Sequence, residues 1–441
     1  MRHPAHSPHP RFWLFIVMLL SGLITVMASL YFLKGRHGDS VFALSNFIGP
    51  TTHSLLTQGD FHFQSDEIGS TGQAMDFRGA RMPGPPMFLA MGVALLGTDA
   101  ILPNALLKAI VCLVVFWGAA VCLTRLLAPA PGWLLPLAAV LPFCLSPVLA
   151  NAVNVQVEEG YAYSFIALAF VLSVMRFNGW QSHLGVSVLL GVSLAWVYLT
   201  KSSYILLAMA FAMAGLVSGR GVLHRLLPLA VVTAAVLGWG LFQLHHAGHF
   251  SVGTSLDGIN LHKGNHGAFL SLYPPKPGEV LDAYDDTLNR GQFYTSEWLF
   301  DAAHKREALA YMQAHPWATL QAVLLKAQVF FLSLQKTGSF QSVGLHHVWE
   351  TGSLLLFRCV NLAGWALALA GLMRADARAA WRATCGLFLA LQISVAAPYM
   401  LGFSYTRHAS VLVLPAFFFV ALAMAEARRG RLFSTNGHLS A

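Results

Sequence analysis

The charged side chains that could do chemistry in this sequence stand at the ends of apolar runs. Asp39 follows the first run, in Gly38-Asp39-Ser40. A carboxylate held there can serve as a general base or metal ligand, and Asp is also a preferred helix N-cap. Glu158 and Glu159 open a later apolar segment. Adjacent carboxylates repel, which raises the pKa of one of them; acids also favour a helix N-terminus through the macrodipole. Lys201 is the only charged residue between Arg176 and Arg220 and lies at a junction of two apolar segments, in WVYLTKSSYILL. It can hold a phosphate as a point charge or snorkel to the membrane interface.

Arg407 and His408 begin the last apolar segment, in SYTRHASVLVLP. An Arg at a helix start opposes the macrodipole, so it calls for an anionic partner, either a protein carboxylate or a lipid phosphate. Arg78 and Arg81, in MDFRGARMPGPP, precede a short apolar stretch, where non-specific contact with lipid headgroups is the favoured explanation. TSLDGINLHKGNHGAF (254–269) is rich in Gly, Asn and His. Its Asn260, His262, Asn265 and His266 can bind a sugar or a metal, while turn formation alone accounts for the Gly and Asn. There is no GxGxxG motif and no Walker loop, which argues against a soluble nucleotide substrate.

The elements that position these groups follow from composition. The chain has 441 residues, of which 56% are hydrophobic and only 10% charged, with a mean hydropathy of +0.60. Soluble domains carry about 25% charged residues, so this chain cannot coat a water-facing surface of its size. The net charge is +8, but the basic residues form no tract of the kind that binds nucleic acid. The reading is an all-α polytopic membrane protein. Cys112, Cys122, Cys144, Cys359 and Cys385 all fall in apolar stretches without metal-ligand spacing. They are expected to be small core residues, with no disulfide and no structural zinc site among them.

A membrane-spanning helix needs about 20 mostly apolar residues. Ten segments meet or approach that length: 12–33, 103–126, 131–151, 159–177, 183–200, 202–218, 226–245, 350–373, 383–401 and 407–427. The first is longer than a signal-peptide core and reads as a retained helix. The shorter stretches 85–98 and 317–335, the latter carrying Lys326, read as interfacial or re-entrant, as does the semi-apolar segment after Asp39. Ten spans put Arg2, Arg11, Arg125, Arg176, Arg220, Arg225, Arg374, Arg378, Arg382, Arg428, Arg429 and Arg431 on one side, opposed only by Asp376 and Glu426. That agrees with a cytoplasmic assignment by the positive-inside rule. The spans then leave 1–245 as an N-terminal transmembrane module with the first external loop. Residues 246–349 form a large external loop, and 350–441 the last helices with a short cytoplasmic tail. Polar residues gather at the external helix ends rather than within the spans, which favours an enzyme at the outer boundary over a transporter.

Seven stretches, in order, resemble the integral-membrane GT-C glycosyltransferases. The nearest branch is the bacterial relatives of protein O-mannosyltransferases and lipid A aminoarabinose transferases. Gly38-Asp39 with LLTQGDF is similar to that family's first-loop acid and amphipathic helix. RGARMPGPPMFLAMGVALLG (78–97) resembles its Arg-x-Pro-Gly-x-Pro stretch, and SPVLANAVNVQVEEGYAYSFIAL (146–168) its second external loop. WVYLTKSSYILL, TSLDGINLHKGNHGAF, AHKREALAYMQAHPWATLQAVLLKAQVFF and YTRHASVLVLP match later segments. Lys201 stands where Arg is usual, Ser202 where Pro is usual and His408 where Tyr is usual.

The resemblance implies an all-α bundle of about 10–13 transmembrane helices with interfacial helices in its external loops. It implies transfer of a sugar, with inversion, from a polyprenyl-phosphate-linked donor to an envelope glycan, lipid or protein acceptor. The reaction would face the periplasm of the inner membrane. Asp39 matches the family's catalytic acid. Glu158 or Glu159 would position the acceptor or hold a divalent metal ion. Lys201 and Arg407 would meet the leaving phosphate, with His408, Arg81, Asn260 and Asn265 completing the substrate-binding set. The alternative is a transporter or flippase for a lipid-linked or small anionic substrate, which would show flux in sealed vesicles without glycosylating an acceptor.

Overall fold

The computed structural model describes residues 10–34, 36, 38–44, 47–65, 74–128, 130–180, 183–218, 221–274, 294–334, 344–374 and 376–429. Arg2, Arg220, Arg431 and the tail from 430 onward lie outside the described residues. Along the chain run α1 (Pro10–Phe32), α2 (Ile48–Gln58), α3 (Gly84–Leu96), α4 (Ile101–Leu127), α5 (Leu134–Ala139) and α6 (Ser146–Val153). Then follow α7 (Glu159–Met175), α8 (Leu184–Thr200), α9 (Ile205–Ser218), α10 (Val222–Ala247), α11 (Asp257–Lys263) and α12 (Phe269–Leu272). The last are α13 (Glu297–Ala314), α14 (Pro316–Leu332), α15 (Gly344–Met373), α16 (Ala379–Leu401) and α17 (Val413–Arg428). Among the described residues, the only sheet pairs β1 (Phe63–Ser65) with β2 (Met75–Phe77), antiparallel, with Gln64 opposite Asp76.

The protein is an all-α polytopic membrane bundle. Among the described residues, α1, α4, α7, α10, α15, α16 and α17, some extended by an adjoining turn, are long and apolar enough to cross a membrane. Segments 183–200 and 202–218 form shorter helices, α8 and α9. The segment 131–151 is not one straight span: α5 and α6 bend by 68° around Leu145. The sequence gives the cause, because Pro142 and Pro147 each remove a backbone donor beside the break. Stretches 85–98 and 317–335 form the short apolar helices α3 and α14. The segment after Asp39 makes a turn at Val41–Ala43 and then α2.

Helices α7 and α17 form the centre. Their spans are 89% buried, against 28% for α1 and α10, which stand at the periphery. α7 is apolar on every side (GYAYSFIALAFVLSVM), the pattern of a helix surrounded by others. Cys112 and Cys385 are core residues as expected, but Cys144 and Cys359 lie on the exposed face of the bundle. In a membrane that face meets lipid, which is as apolar as the core and so leaves no difference in sequence.

Charges sort by end of the bundle. At one end Arg176 is buried and donates to Ser187 Oγ, Ser218 Oγ and the carbonyls of Gly215 and His224. Nearby elements at that end place Glu426 between Arg378 (2.6 Å) and Arg429 (2.5 Å), and Arg429 also donates to the carbonyls of Leu126 and Ala128. The expected Arg-rich side is therefore a set of carbonyl and carboxylate clasps. Glu158, Glu159, Lys201, Arg81 and Arg407 meet elsewhere.

Candidate active site

The acid pair is built from a short turn. α6 ends at Asn154 and the chain re-enters as α7 at Glu159. Lys108, fully buried in α4, donates from Nζ to the carbonyls of Asn151 (2.6 Å) and Asn154 (2.5 Å). Tyr161 donates its hydroxyl to Val155 O at 3.0 Å. A Cβ on Gly160 would lie 2.5 Å from Lys108 Nζ and 2.6 Å from Asn151 O, so this position admits only glycine. The turn that aims both carboxylates is thus fixed by a buried ammonium. Sequence reasoning passed over Lys108; a lone charge inside an apolar helix was the available signal.

Glu159 has 2% of its side chain exposed, yet it is compensated. Lys201 Nζ donates to Glu159 Oε1 at 2.6 Å and stands 3.6 Å from Glu158 Oε2. Arg81 Nη1 reaches Glu158 Oε1 at 2.9 Å. Burial opposes ionisation of Glu158, but Lys201 and Arg81 outweigh it and hold the carboxyl below the usual range. Burial likewise opposes the charge on Lys201, but Glu159 and Glu158 raise its pKa above the ordinary value. The expected raised pKa of one acid is therefore not found at Glu158: the mutual repulsion is real, but two cations overcome it. Nor does the pair fit a divalent metal. The Lys201 ammonium already sits against both carboxylates where a cation would bind.

His408 closes the cluster. Its Nδ1 accepts from the Tyr405 N–H at 3.1 Å, so in the neutral ring the proton is on Nε2, 3.8 Å from Glu159 Oε1. The ring stacks on Tyr399 with centroids 4.1 Å apart, and Lys201 Nζ lies 5.4 Å from the Tyr399 centroid. Arg407 is exposed and lies 5.0 Å from the Tyr405 centroid. Its charge acts on Glu159, but no carboxylate pairs with it among the described residues. Three fixed cations thus face two carboxylates, which leaves a net positive site with one guanidinium uncommitted.

Neighbouring elements hold Arg81 and Lys201 in place. Glu297 accepts from the Arg78 N–H (2.9 Å), the Gly79 N–H (3.1 Å) and Ser255 Oγ (2.5 Å), which fixes the RGAR turn. Arg78 itself pairs with Asp60 at 2.7 Å. Ser202, where Pro was the usual residue, donates to Asp257 Oδ1 at 2.9 Å and links the Lys201 corner to α11. Asn265 is buried, and its Nδ2 donates to the carbonyls of Leu261 (2.8 Å) and Leu401 (2.6 Å). It fastens the loop to the turn before Arg407 through its amide nitrogen. Lys326 joins the same seam through the carbonyls of Gly264, Leu401 and Gly402. The Asn260 side chain is half-buried and makes no hydrogen bond among the described residues.

Asp39 stands apart from this cluster. Ser40 is the N-cap of the next turn, accepting from the Phe42 N–H at 3.1 Å, so Asp39 is not needed as a cap. Its backbone is pinned by the Ile101 N–H, which donates to Asp39 O at 2.8 Å. Its carboxylate is 50% exposed and pairs with Arg36 at 2.8 Å. Arg36 lines a cavity of about 330 Å³ with Phe32, Ile101, Asn154, His346 and Glu350. The structure brings together Arg81, Glu158, Glu159, Lys201 and His408, with Arg407 at the edge. Among the described residues, Asp39 makes no hydrogen bond or ion pair with them.

Lys201→Met is expected to cost about 3–5 kcal/mol, because it leaves buried carboxylates uncompensated. Adding Glu159→Gln should restore part of that loss. Thermal unfolding in detergent measures both; a fully stable single variant would refute the buried pairing.

No protein-family model and no curated protein matches the sequence. Among solved structures, the chain is similar to the Archaeoglobus fulgidus oligosaccharyltransferase in the apo form, with a TM-score of 0.52 and 11% identity, covering 97% of this chain and 53% of that one. It is also similar to that oligosaccharyltransferase tethered with an acceptor peptide containing the NVT sequon, with a TM-score of 0.50 and 12% identity, covering 95% and 50%. The chain spans about half the length of these proteins. At such identities the likeness is one of fold, an all-α membrane bundle of the kind expected from the sequence.

Proposed function

We propose that the chain is a glycosyltransferase of the GT-C type. It takes a sugar from a polyprenyl-phosphate-linked donor and passes it to an acceptor at the periplasmic face of the inner membrane. The observation that carries this reading is the positive site, in which three cations face two carboxylates and Arg407 has no carboxylate partner among the described residues. A site of this charge at the end of an apolar bundle suits a lipid-borne phosphate, because anion and prenyl chain are then held together.

In this reading the acceptor oxygen attacks the anomeric carbon while the bond from that carbon to the phosphate oxygen breaks, which inverts the centre. The phosphate leaves with an additional negative charge. Arg407 meets it directly and Lys201 adds its field; stabilising a leaving oxygen is a large catalytic term. The acceptor proton goes to Asp39, an accessible carboxylate on a pinned backbone. Glu158 suits that task poorly, because Arg81 and Lys201 make it a weak base. Glu158 and Glu159 instead orient the cations. His408 offers its Nε2–H and Asn260 its amide to sugar hydroxyls.

The test compares a deletion strain with wild type by mass spectrometry of envelope glycans. Loss of one sugar residue, restored by the wild-type gene, is the expected result and identifies both sugar and acceptor. An unchanged glycan profile would overturn the reading.

A further inference from the structure

Away from the acid pair, two helices of the large loop bring three ligand-bearing side chains together. His262 lies in α11, and His304 and Glu307 lie three residues apart on one face of α13. His262 Nδ1 is 2.8 Å from His304 Nδ1 and 3.3 Å from Glu307 Oε2, and the three ligand atoms all lie within 4.8 Å of one another. His304 is fully buried and His262 nearly so, while Glu307 is exposed. Lys305 is engaged by Asp301 at 2.6 Å, Arg306 is exposed, and Glu307 faces the imidazole of His262.

We propose that His262, His304 and Glu307 bind a divalent transition metal of the zinc class. Two imidazoles and one carboxylate are borderline ligands, which suit Zn²⁺ and not Mg²⁺ or Ca²⁺. Tetrahedral bonds of about 2.0–2.1 Å place ligand atoms about 3.3 Å apart. The His262–Glu307 pair already has that spacing, the two histidines open by a fraction of an ångström, and His304 and Glu307, which lie within 4.8 Å, close by up to about 1.5 Å. The exposed side of Glu307 leaves the fourth position to water. The ion would be a clip, tying α11 to α13 where Gly258 N–H already donates to Asp301 Oδ1 at 2.6 Å. Through α11 it steadies Asp257, the partner of Ser202, and Asn260.

The test uses the full chain in detergent, stripped with a chelator and then titrated with Zn²⁺ alone, with Mg²⁺ as control. A single Zn²⁺ per chain by elemental analysis, a raised Tm and X-ray absorption with two imidazole ligands are expected. Glu307→Gln, a change at an exposed position outside the acid cluster, should weaken Zn²⁺ binding by about tenfold or more; His262→Gln should do the same. Zn²⁺ binding and Tm equal in wild type and both variants would overturn the proposal and leave a His–His hydrogen bond. None of these readouts depends on sugar transfer, so the result stands apart from the proposed activity.

Discussion

Arg407→Ala is expected to lower sugar transfer by about 100- to 1,000-fold, the cost of removing one group that stabilises charge in the transition state. The protein should stay folded and inserted, for a reason specific to this position. Arg407 is exposed, and no carboxylate pairs with it among the described residues, so its removal leaves no buried charge behind. Lys201 differs in this respect, because its loss strands Glu159. Arg407→Lys should recover part of the activity, since an ammonium supplies charge without the planar fork of a guanidinium. Transfer from a polyprenyl-phosphate sugar in membranes, beside a thermal unfolding curve, separates the two effects. Wild-type turnover in Arg407→Ala would remove the phosphate from this site.

Asp39→Asn is expected to lower transfer by about 100- to 10,000-fold, the range of a general base. The substitution keeps size and hydrogen-bonding capacity and removes only the basic oxygen. The pin from the Ile101 N–H to the Asp39 carbonyl involves the backbone and survives. The pair with Arg36 is half-exposed, so its loss costs about 0–1 kcal/mol. Stability should therefore remain near wild type while transfer falls. Glu158→Gln supplies the contrast: it should alter donor binding more than the proton-transfer step, seen as a changed KM. Full turnover in Asp39→Asn with loss in Glu158→Gln would move the base to the acid pair.

Much of the fold was legible in one dimension. Every segment read as a span is helical, and the two short stretches judged interfacial are the short helices α3 and α14. The error at 131–151 came from averaging hydropathy across Pro142 and Pro147, which break the helix without changing its apolar character. The candidate site was legible as a list of charges at helix ends, but the part played by each was not. Arg78 was readable as a lipid contact, yet it pairs with Asp60, and the Asn265 amide nitrogen bonds two carbonyls. Lys108 went unnoticed because one Lys barely changes the hydropathy of a long helix.

By itself the sequence determined the membrane class, the order of helices and the sorting of charge between the two ends of the bundle. These properties depend on composition and on residues near in the chain, since lipid solvates a helix by its local apolarity. Only the tertiary structure decided the pairings. Arg81 meets Glu158 across 77 residues, and Lys201 meets Glu159 across 42. His262 meets His304 across 42 more. Which cation satisfies which buried acid is set by the free energy of whole helices packing together, and a buried charge must find its partner wherever that packing places one. Charge scarcity named the candidates; burial and partner choice separated the uncommitted Arg407 and the accessible Asp39 from the rest.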